Sequence, residues 1–359
     1  YSGKRKEMEQ WISGPRISRE NNYGILRVIC ATAVIYGHMH ILMCEAPPVL
    51  FGNGVHALGF KLLMILSGYM ITQSCIYEKI WWKYFVKRII RILPALICST
   101  IVTIVIGAFC TPVDFKTYWT GTNTKAYLLN ILLNPRFVLT DTFIENPYYA
   151  VNGSIWALPI EFSLYIVIFI VLKLLCKCKY KKWILAGITV ALSFYQMARV
   201  LFFPNAIYVV WGTDWVNAIS LYPFFFMGAL YAVTDVKKYC NLQVAFILLF
   251  VISGISWKNS WSYEMMIIYA LPYIIISFGE CMKPIFKNFM KNTDVSYGMY
   301  LYGFVVQQIF IYVLITKQNL HVTSNEIFVL AFIVSLIIGI ISWKFVERPA
   351  IERIKKIMK

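Results

Sequence analysis

Charge is scarce in this sequence, and acidic residues are the scarcest part of it. Only 14% of the 359 residues are charged, with 17 acidic residues against 34 lysines and arginines. Because an ordinary soluble domain carries roughly a quarter charged residues, a water-soluble fold is excluded for most of the chain. Hydrophobic residues make up 59% of the sequence and occur in long runs. The composition therefore indicates a membrane protein.

Clusters of metal-binding side chains are also missing. The closely spaced cysteines, Cys176 and Cys178, have no second pair and no nearby histidine that could complete a zinc site. We therefore expect no bound metal. The net charge of +17 could suggest nucleic-acid binding, but the basic residues come in short bursts between apolar runs. We expect the lipid bilayer as a partner and no nucleic acid.

Apolar runs long enough to cross a bilayer as helices occur about ten times. Their approximate limits are 25–43, 57–77, 92–110, 150–172, 183–203, 216–234, 241–257, 261–280, 295–316 and 326–345. The sequence therefore predicts an all-α fold, a polytopic transmembrane helical bundle. We divide it into an N-terminal segment (1–24), a transmembrane domain (25–345) and a basic tail (346–359).

The distribution of positive charge predicts the orientation, because Lys and Arg in short loops are retained on the cytoplasmic side. With the N-terminus inside, about three quarters of the 34 basic residues fall in the N-terminal segment, in alternate loops or in the tail. Miscounting one helix would invert every later loop, so the alternation also supports an even number of spans. Both termini are expected in the cytoplasm.

Ionisable side chains inside a bilayer are costly unless they are paired or hydrated, so each one is a functional candidate. The clearest are Arg27 and His38 in the first run and Glu161 in the fourth. Arg27 and His38 share one helix face to within about 20° and lie about 16 Å apart along the axis. We expect them to line one cavity, with Arg27 at its cytoplasmic end and His38 in the outer half.

Glu161 lies near the middle of its run, where a lone carboxylate has to be protonated or partnered. His38 is the most economical partner, because a carboxylate fixes the tautomer of an imidazole that acts as a general base. Two alternatives stay open. His38 could be a buried histidine satisfied by a neighbouring helix, and Glu161 could be a polar contact that holds helices together.

Arg88 and Arg91 are three residues apart at the cytoplasmic mouth of the third run, so both face the same way. The forked guanidinium matches phosphate geometry, which makes the pair a plausible anion site. Charge that only sets the topology explains the pair equally well.

These residues belong to a series of six segments spread between residues 21 and 349. The segments are Asn21-Asn22 with Arg27 and His38; Phe60 to Met70, which contains Ser67-Gly68-Tyr69; Arg88-Ile89-Ile90-Arg91 with Pro94; Ser154-Ile155-Trp156-Ala157-Leu158-Pro159-Ile160-Glu161 with Tyr165; Ser296-Tyr297-Gly298-Met299-Tyr300-Leu301-Tyr302; and Phe345-Val346-Glu347-Arg348-Pro349. In this order they resemble the motifs of the acyltransferase-3 family, integral membrane O-acyltransferases of surface glycans. The transmembrane domain is therefore expected to be acyltransferase-3-like.

The resemblance implies an acyl-CoA donor, usually acetyl-CoA, that approaches from the cytosol, and a glycan hydroxyl that is acylated on the outer side. Arg88 and Arg91, with Arg27, would hold the coenzyme A phosphates. His38 would act as the general base with the help of Glu161, and a transient acyl-histidine stays open. Candidates for the acyl tunnel or the acceptor site are Ser67, Ser154, Trp156, Tyr165 and Tyr300.

Two departures from the family bear on catalysis. Many members have a histidine where this sequence has Gly303, so a role for that second histidine is absent or transferred. Some relatives also carry a C-terminal serine-esterase-like domain, and this chain ends ten residues after Pro349. Transfer would then finish in the membrane domain or in a separate periplasmic or extracytoplasmic partner.

We therefore expect an O-acetyltransferase of the bacterial inner (plasma) membrane that uses acetyl-CoA to modify a lipid-linked or surface polysaccharide such as O-antigen. The alternative is a membrane transporter that exports a small acid or a glycan precursor. Basic inner mouths and charges within the membrane would look alike in either protein. Transporters commonly show two related halves, and this sequence has no such pairing.

Overall fold

The computed structural model of this protein describes residues 21–78, 80–254, 260–283 and 293–358. Most of the predicted N-terminal segment, residues 1–20, lies outside the described residues. Within the described part, the chain is built almost entirely of helices, and the all-α prediction is confirmed.

Fifteen α-helices account for most of the described chain. In chain order they are α1 (Tyr23–Leu42), α2 (Val55–Tyr77), α3 (Trp81–Gly107), α4 (Phe115–Thr120), α5 (Thr122–Tyr127), α6 (Ala157–Leu175), α7 (Lys181–Phe202), α8 (Trp215–Ser220), α9 (Tyr222–Ala232), α10 (Val236–Tyr239), α11 (Leu242–Gly254), α12 (Ser260–Glu280), α13 (Ser296–Phe310), α14 (Ser324–Ser342) and α15 (Arg348–Ile357). Short 3₁₀ turns cover Leu128–Leu132 and Ser154–Trp156. Two π-helical segments, Ile311–Lys317 and Trp343–Glu347, extend α13 and join α14 to α15.

Nine helical stretches among the described residues are long and apolar enough to cross a membrane. They correspond to nine of the predicted spans, with α8 and α9 forming one stretch and α14 continuing into α15. The remaining prediction, 241–257, coincides with α11, which has 13 residues and is shorter than a full span. The last three residues of that predicted span lie outside the described residues.

Two small hairpins interrupt the helical pattern. Strand β1 (Val49–Leu50) pairs with β2 (Asn53–Gly54), and β3 (Val209–Val210) pairs with β4 (Thr213–Asp214). In each hairpin both turn residues have positive φ, and the second is glycine, as a tight two-residue hairpin turn requires. The first hairpin leads directly into α2 and fixes where that helix begins.

Helix α2 lies at the centre of the bundle because glycines let its backbone approach α9 closely. A Cβ atom added to Gly68 would lie 1.9 Å from the carbonyl oxygen of Phe225, and one added to Gly228 would lie 2.1 Å from that of Ile65. Small residues at such crossings allow helices in a membrane to pack by direct backbone contact. Gly68 thus lies in the contact between α2 and α9. The neighbouring Ser67 faces a cavity.

Candidate functional site

A cavity of about 400 Å³ lies between α1, α2, α3, α6, α13 and α15. We call it the basic cavity, because arginines and lysines line one end of it. Seven of the residues predicted from the sequence line this cavity: Arg27, Ser67, Arg88, Arg91, Glu161, Tyr165 and Tyr300. Three others, His38, Ser154 and Trp156, do not. The sequence motifs therefore converge on one space, although they are far apart in the chain.

Glu161 presents its carboxylate to the basic cavity from the second turn of α6. Its Oε1 accepts a hydrogen bond of 3.1 Å from the Ser67 hydroxyl and another from the Tyr165 hydroxyl, four residues further along the same helix. In the described part of the chain it forms no ion pair. A carboxylate held by two neutral donors keeps lone pairs that can accept further hydrogen bonds from a ligand.

Two of the three predicted phosphate-binding arginines are paired with carboxylates. Arg27 Nη1 and Arg91 Nη2 each lie 2.7 Å from Oδ2 of Asp294, which precedes α13. The second terminal nitrogen of Arg91 lies 2.7 Å from Oε2 of the buried Glu347. These four side chains, which we call the ionic cluster, join α1, α3, the start of α13 and the π-helical segment after α14.

Asp294 stays ionised in this cluster. Burial alone would raise the pKa of its carboxyl group, but Arg27 and Arg91 hold that pKa at about 2, and Ser296 adds a hydrogen bond of 2.7 Å. The negative charge of Asp294 therefore offsets the positive charge of the two arginines, and Glu347 occupies a further donor of Arg91, which lowers their capacity to attract an anion.

Arg88 differs from its neighbours, because no carboxylate contacts it among the described residues. Its Nη2 donates a hydrogen bond of 3.2 Å to the Ser74 hydroxyl, and its guanidinium lies over the rings of Tyr84 and Tyr165, at 5.7 and 5.8 Å. Its Nε is buried and has no hydrogen-bond partner. A guanidinium in this state can still form charge-assisted hydrogen bonds with an anion.

Three aromatic side chains pack together at the other end of the basic cavity, and two of them, Phe60 and Tyr300, line it. The Phe60 ring stacks on Tyr300 at 6.3 Å between centroids and packs against Trp156 at 5.6 Å. The Tyr300 hydroxyl donates a hydrogen bond to the backbone carbonyl of Ser154, which holds the tyrosine in place. We call Phe60, Trp156 and Tyr300 the aromatic layer.

His38 lies beyond the aromatic layer, beside a second histidine. The centroid of its ring lies 5.6 Å from that of His56 and 5.4 Å from that of Phe304. Phe304 is one helical turn further along α13 than Tyr300, and His56 is one turn before Phe60 on α2. The two histidines are therefore separated from the basic cavity by the thickness of the aromatic layer.

The predicted contact between His38 and Glu161 is not formed. Glu161 accepts hydrogen bonds from Ser67 and Tyr165 on the cavity side, whereas His38 contacts aromatic rings on the far side. The physical reason is depth: α6 begins at Ala157, just after Trp156, so Glu161 lies below the aromatic layer and His38 above it. The catalytic roles predicted for the two residues remain predictions.

Ser154 is buried at the aromatic layer, where its side chain has structural partners. Its hydroxyl bonds to Asn152 Oδ1 at 2.6 Å and to the carbonyl oxygen of Tyr300 at 3.2 Å. Gly303 packs against Ile35 of α1, at 2.8 Å from an added Cβ. The position of the missing family histidine is therefore filled by an apolar contact.

Several residues at the site were not identified from the sequence. Glu347 was part of a recognised segment without a role, and Asp294 carried a signal only as an acidic residue beside a transmembrane run. His56 lies one residue before the predicted span 57–77, where a polar residue is common. Among the described residues, no group of three metal-binding side chains is close enough to hold an ion.

Comparisons with known proteins agree with the segments and the helical fold. The Acyltransferase domain of the acyltransferase-3 family matches residues 21–344. An "O-acetyl transferase" of Shigella phage Sf6 is 26% identical over 351 residues, which cover 93% of this chain and 97% of the relative. "Nodulation protein 10" of Rhizobium leguminosarum bv. viciae is 21% identical over 364 residues, with 92% and 93% covered. No solved structure matches the chain.

Proposed function

Since this chain belongs to the acyltransferase-3 family and is an O-acyltransferase, we propose that it transfers an acetyl group from cytosolic acetyl-CoA to a hydroxyl of a surface polysaccharide such as O-antigen. The protein is a multi-pass membrane protein, and we place it in the bacterial inner membrane with both termini in the cytoplasm. The name of the phage relative, O-acetyl transferase, supports acetyl as the group transferred. The distribution of basic residues supports the orientation.

The observation that carries this proposal is the position of Arg88 at the basic end of a cavity that leads toward His38. Coenzyme A carries phosphates at one end and the thioester at the other. Arg88, without a carboxylate partner among the described residues, binds the phosphates by charge-assisted hydrogen bonds. Lys355 of α15 lines the same end and adds positive charge.

In this proposal the bound acetyl-CoA extends along α2, from the end near Arg88 to the end near His38. Arg88 bonds to Ser74, and His56 lies eighteen residues earlier on the same helix, which corresponds to about 27 Å. Along this path Glu161 accepts hydrogen bonds from the amide groups of the donor's pantetheine arm, so its role becomes one of positioning. The acyl end passes the aromatic layer, which moves aside when the donor binds.

Beyond that layer His38 acts as the general base. The acceptor hydroxyl gives its proton to the imidazole as its oxygen attacks the thioester carbon, and an imidazole is the side chain most often used for such a proton transfer. Because His38 lies in the half of α1 away from Arg27, the acceptor approaches from the outer side. Ser67 lies on the cavity side as a hydrogen-bond donor to Glu161.

The test uses the purified protein in vesicles, with labelled acetyl-CoA and a lipid-linked O-antigen acceptor. We expect label in the glycan with the wild type, and a fall of at least about 100-fold with His38→Ala, since a general base contributes roughly 10²–10⁴ in rate. His40→Ala is the matched control, because His40 is on the same helix and bonds to the Tyr36 carbonyl oxygen at 3.1 Å.

Three results would contradict the proposal. Equal transfer by wild type and His38→Ala removes the catalytic assignment. Label that crosses the bilayer without reaching a glycan indicates the transporter function instead. Transfer to a different acceptor, with O-antigen unmodified, retains the acetyltransferase and rejects the acceptor.

A further inference from the structure

His56 is a histidine beside the proposed base that the mechanism above does not use. It lies in the first turn of α2, and its ring is tilted by 36° to that of His38 at 5.6 Å between centroids. The two rings share no hydrogen bond in the described structure. At this separation both imidazoles can contact the same reacting group of a substrate.

Two glycines make space for this imidazole. A Cβ atom added to Gly37 on α1 would lie 2.7 Å from both the Cβ and the backbone nitrogen of His56. A Cβ atom added to Gly54, at the end of β2, would lie 2.7 Å from Cε1 of the same ring. Helix α1, the hairpin and α2 thus hold the ring closely beside His38.

Only one of the two ring nitrogens of His56 can meet a ligand. Its Nδ1 is buried between the two glycines, at 2.9 Å from the Cβ position of Gly37 and 3.1 Å from that of Gly54, and it has no hydrogen-bond partner. Leaving a buried polar atom unpaired costs about 1–3 kcal/mol. Nε2, the other ring nitrogen, is not among the buried atoms without a partner.

We propose that His56 is a second catalytic residue, which donates a hydrogen bond from its Nε2–H to the thioester carbonyl oxygen while His38 removes the proton of the acceptor hydroxyl. The inference rests on the proposed function and assigns separate tasks to the two histidines. A neutral imidazole is a suitable electrophile for a carbonyl group, and a positioned donor stabilises the negative charge that develops on the oxygen.

The reaction balances with these two residues. The acceptor oxygen forms a bond to the acyl carbon as its proton moves to His38, and the carbonyl oxygen becomes negative against the N–H of His56. The carbon–sulfur bond then breaks, and His38 returns the proton to sulfur. The products are the acetyl ester and free coenzyme A, and His56 keeps its own proton throughout.

The test compares three replacements of His56 in the full-length, membrane-reconstituted protein. His56→Leu should lower kcat by about 10²–10³, as the loss of one donor to an oxyanion does elsewhere. His56→Gln should retain at least about tenfold more activity than His56→Asn, because the amide nitrogen of glutamine reaches the position of Nε2 and that of asparagine reaches only the position of Nδ1. His40→Gln is the control and should retain wild-type activity.

A second measurement separates this role from binding of the acceptor. His56 acts on the thioester, so the slow hydrolysis of acetyl-CoA in the absence of glycan should fall by the same factor as transfer. Unchanged kcat in His56→Leu, equal activities of the Gln and Asn variants, or an effect confined to the KM of the glycan would each overturn the inference. These outcomes leave the proposed function intact, whereas a wild type that makes no acetylated glycan rejects that function.

Discussion

Arg88 and Arg91 have the same side chain but different electrostatic surroundings. Arg91 contacts two carboxylates, Asp294 and Glu347, whereas Arg88 contacts a serine hydroxyl and two aromatic rings among the described residues. An arginine whose donors already contact two carboxyl groups gains little from a further anion. At the residue scale, donor binding is therefore assigned mainly to Arg88.

Replacing Arg88 should weaken donor binding without a comparable loss of stability. Hydrogen bonds to charged groups contribute about 1.5–3 kcal/mol, so Arg88→Ala should raise the Kd for coenzyme A by roughly 10-fold to 100-fold. Arg88→Lys should recover part of the affinity, because it restores charge without the planar fork. Calorimetric titration with coenzyme A measures the effect, and an unchanged Kd in Arg88→Ala would remove this contact.

Replacing Asp294 should act on stability. Asp294→Asn leaves Arg27 and Arg91 without their shared anion, and breaking a buried ion pair by removing one partner costs about 3–5 kcal/mol, of which this partly buried cluster should show a substantial share. Thermal unfolding of the detergent-solubilised protein should therefore show a lower melting temperature. Glu352→Gln, whose exposed pair with Arg348 is of little energetic value, is the control and should melt like the wild type. An unaltered melting temperature in Asp294→Asn would show that the ionic cluster is not structural.

At the scale of elements, the sequence predicted the helices well and their mutual contacts poorly. Run length and local charge identify a membrane-spanning helix, and both can be read from a single segment. The aromatic layer depends on which faces of α2, α6 and α13 meet, and spacing along one helix does not contain that information. For the same reason Glu161 was expected beside His38, although Phe60, Trp156 and Tyr300 lie between them.

Seven of the predicted site residues nevertheless line one cavity. Two of them, Arg27 and Glu161, were predicted from the cost of a charge within an apolar run, and the others from the spacing of the arginine pair or from the family motifs. A charge within an apolar run has to find a cavity or a partner, and this requirement is local to the residue. Which residue serves as the partner cannot be read from the neighbouring sequence. Asp294 and Glu347 come from segments more than 200 residues away from Arg91.

The position of the aromatic layer leads to a prediction about the ratio of acetyl-CoA hydrolysis to acetyl transfer. Phe60→Ala removes the ring that contacts both Trp156 and Tyr300, so water should reach the thioester more easily. The rate of acetyl-CoA hydrolysis without acceptor should rise severalfold relative to the rate of transfer. Phe60→Leu, which keeps much of the apolar volume, is the control and should stay closer to the wild type. A ratio of hydrolysis to transfer that is equal in all three proteins would contradict a sealing role.

At the scale of the whole molecule, the site runs through the bundle from a basic end to a histidine pair. Helix α15 covers the basic end, since Ile351, Ile354 and Met358 line the cavity there, and Lys83 donates a hydrogen bond to the Met358 carbonyl oxygen. The tail predicted from the sequence is thus part of the cavity wall. Helix α15 has an apolar face that contacts the cavity and a strongly basic face that suits an anionic membrane surface.

This arrangement requires one orientation in the membrane, because cytosolic acetyl-CoA has to reach the basic end. A reporter that is active only in the cytoplasm should be active when fused after Lys359, and inactive when inserted at the exposed turn Thr120–Thr122 in the connection between α3 and α6. The second fusion is the matched control, because that connection is the longest of those predicted on the outer side. The reverse pattern of activity would place Arg88 outside and His38 inside. The donor would then have no access to the residues proposed to bind it, and the proposed direction of transfer would be wrong.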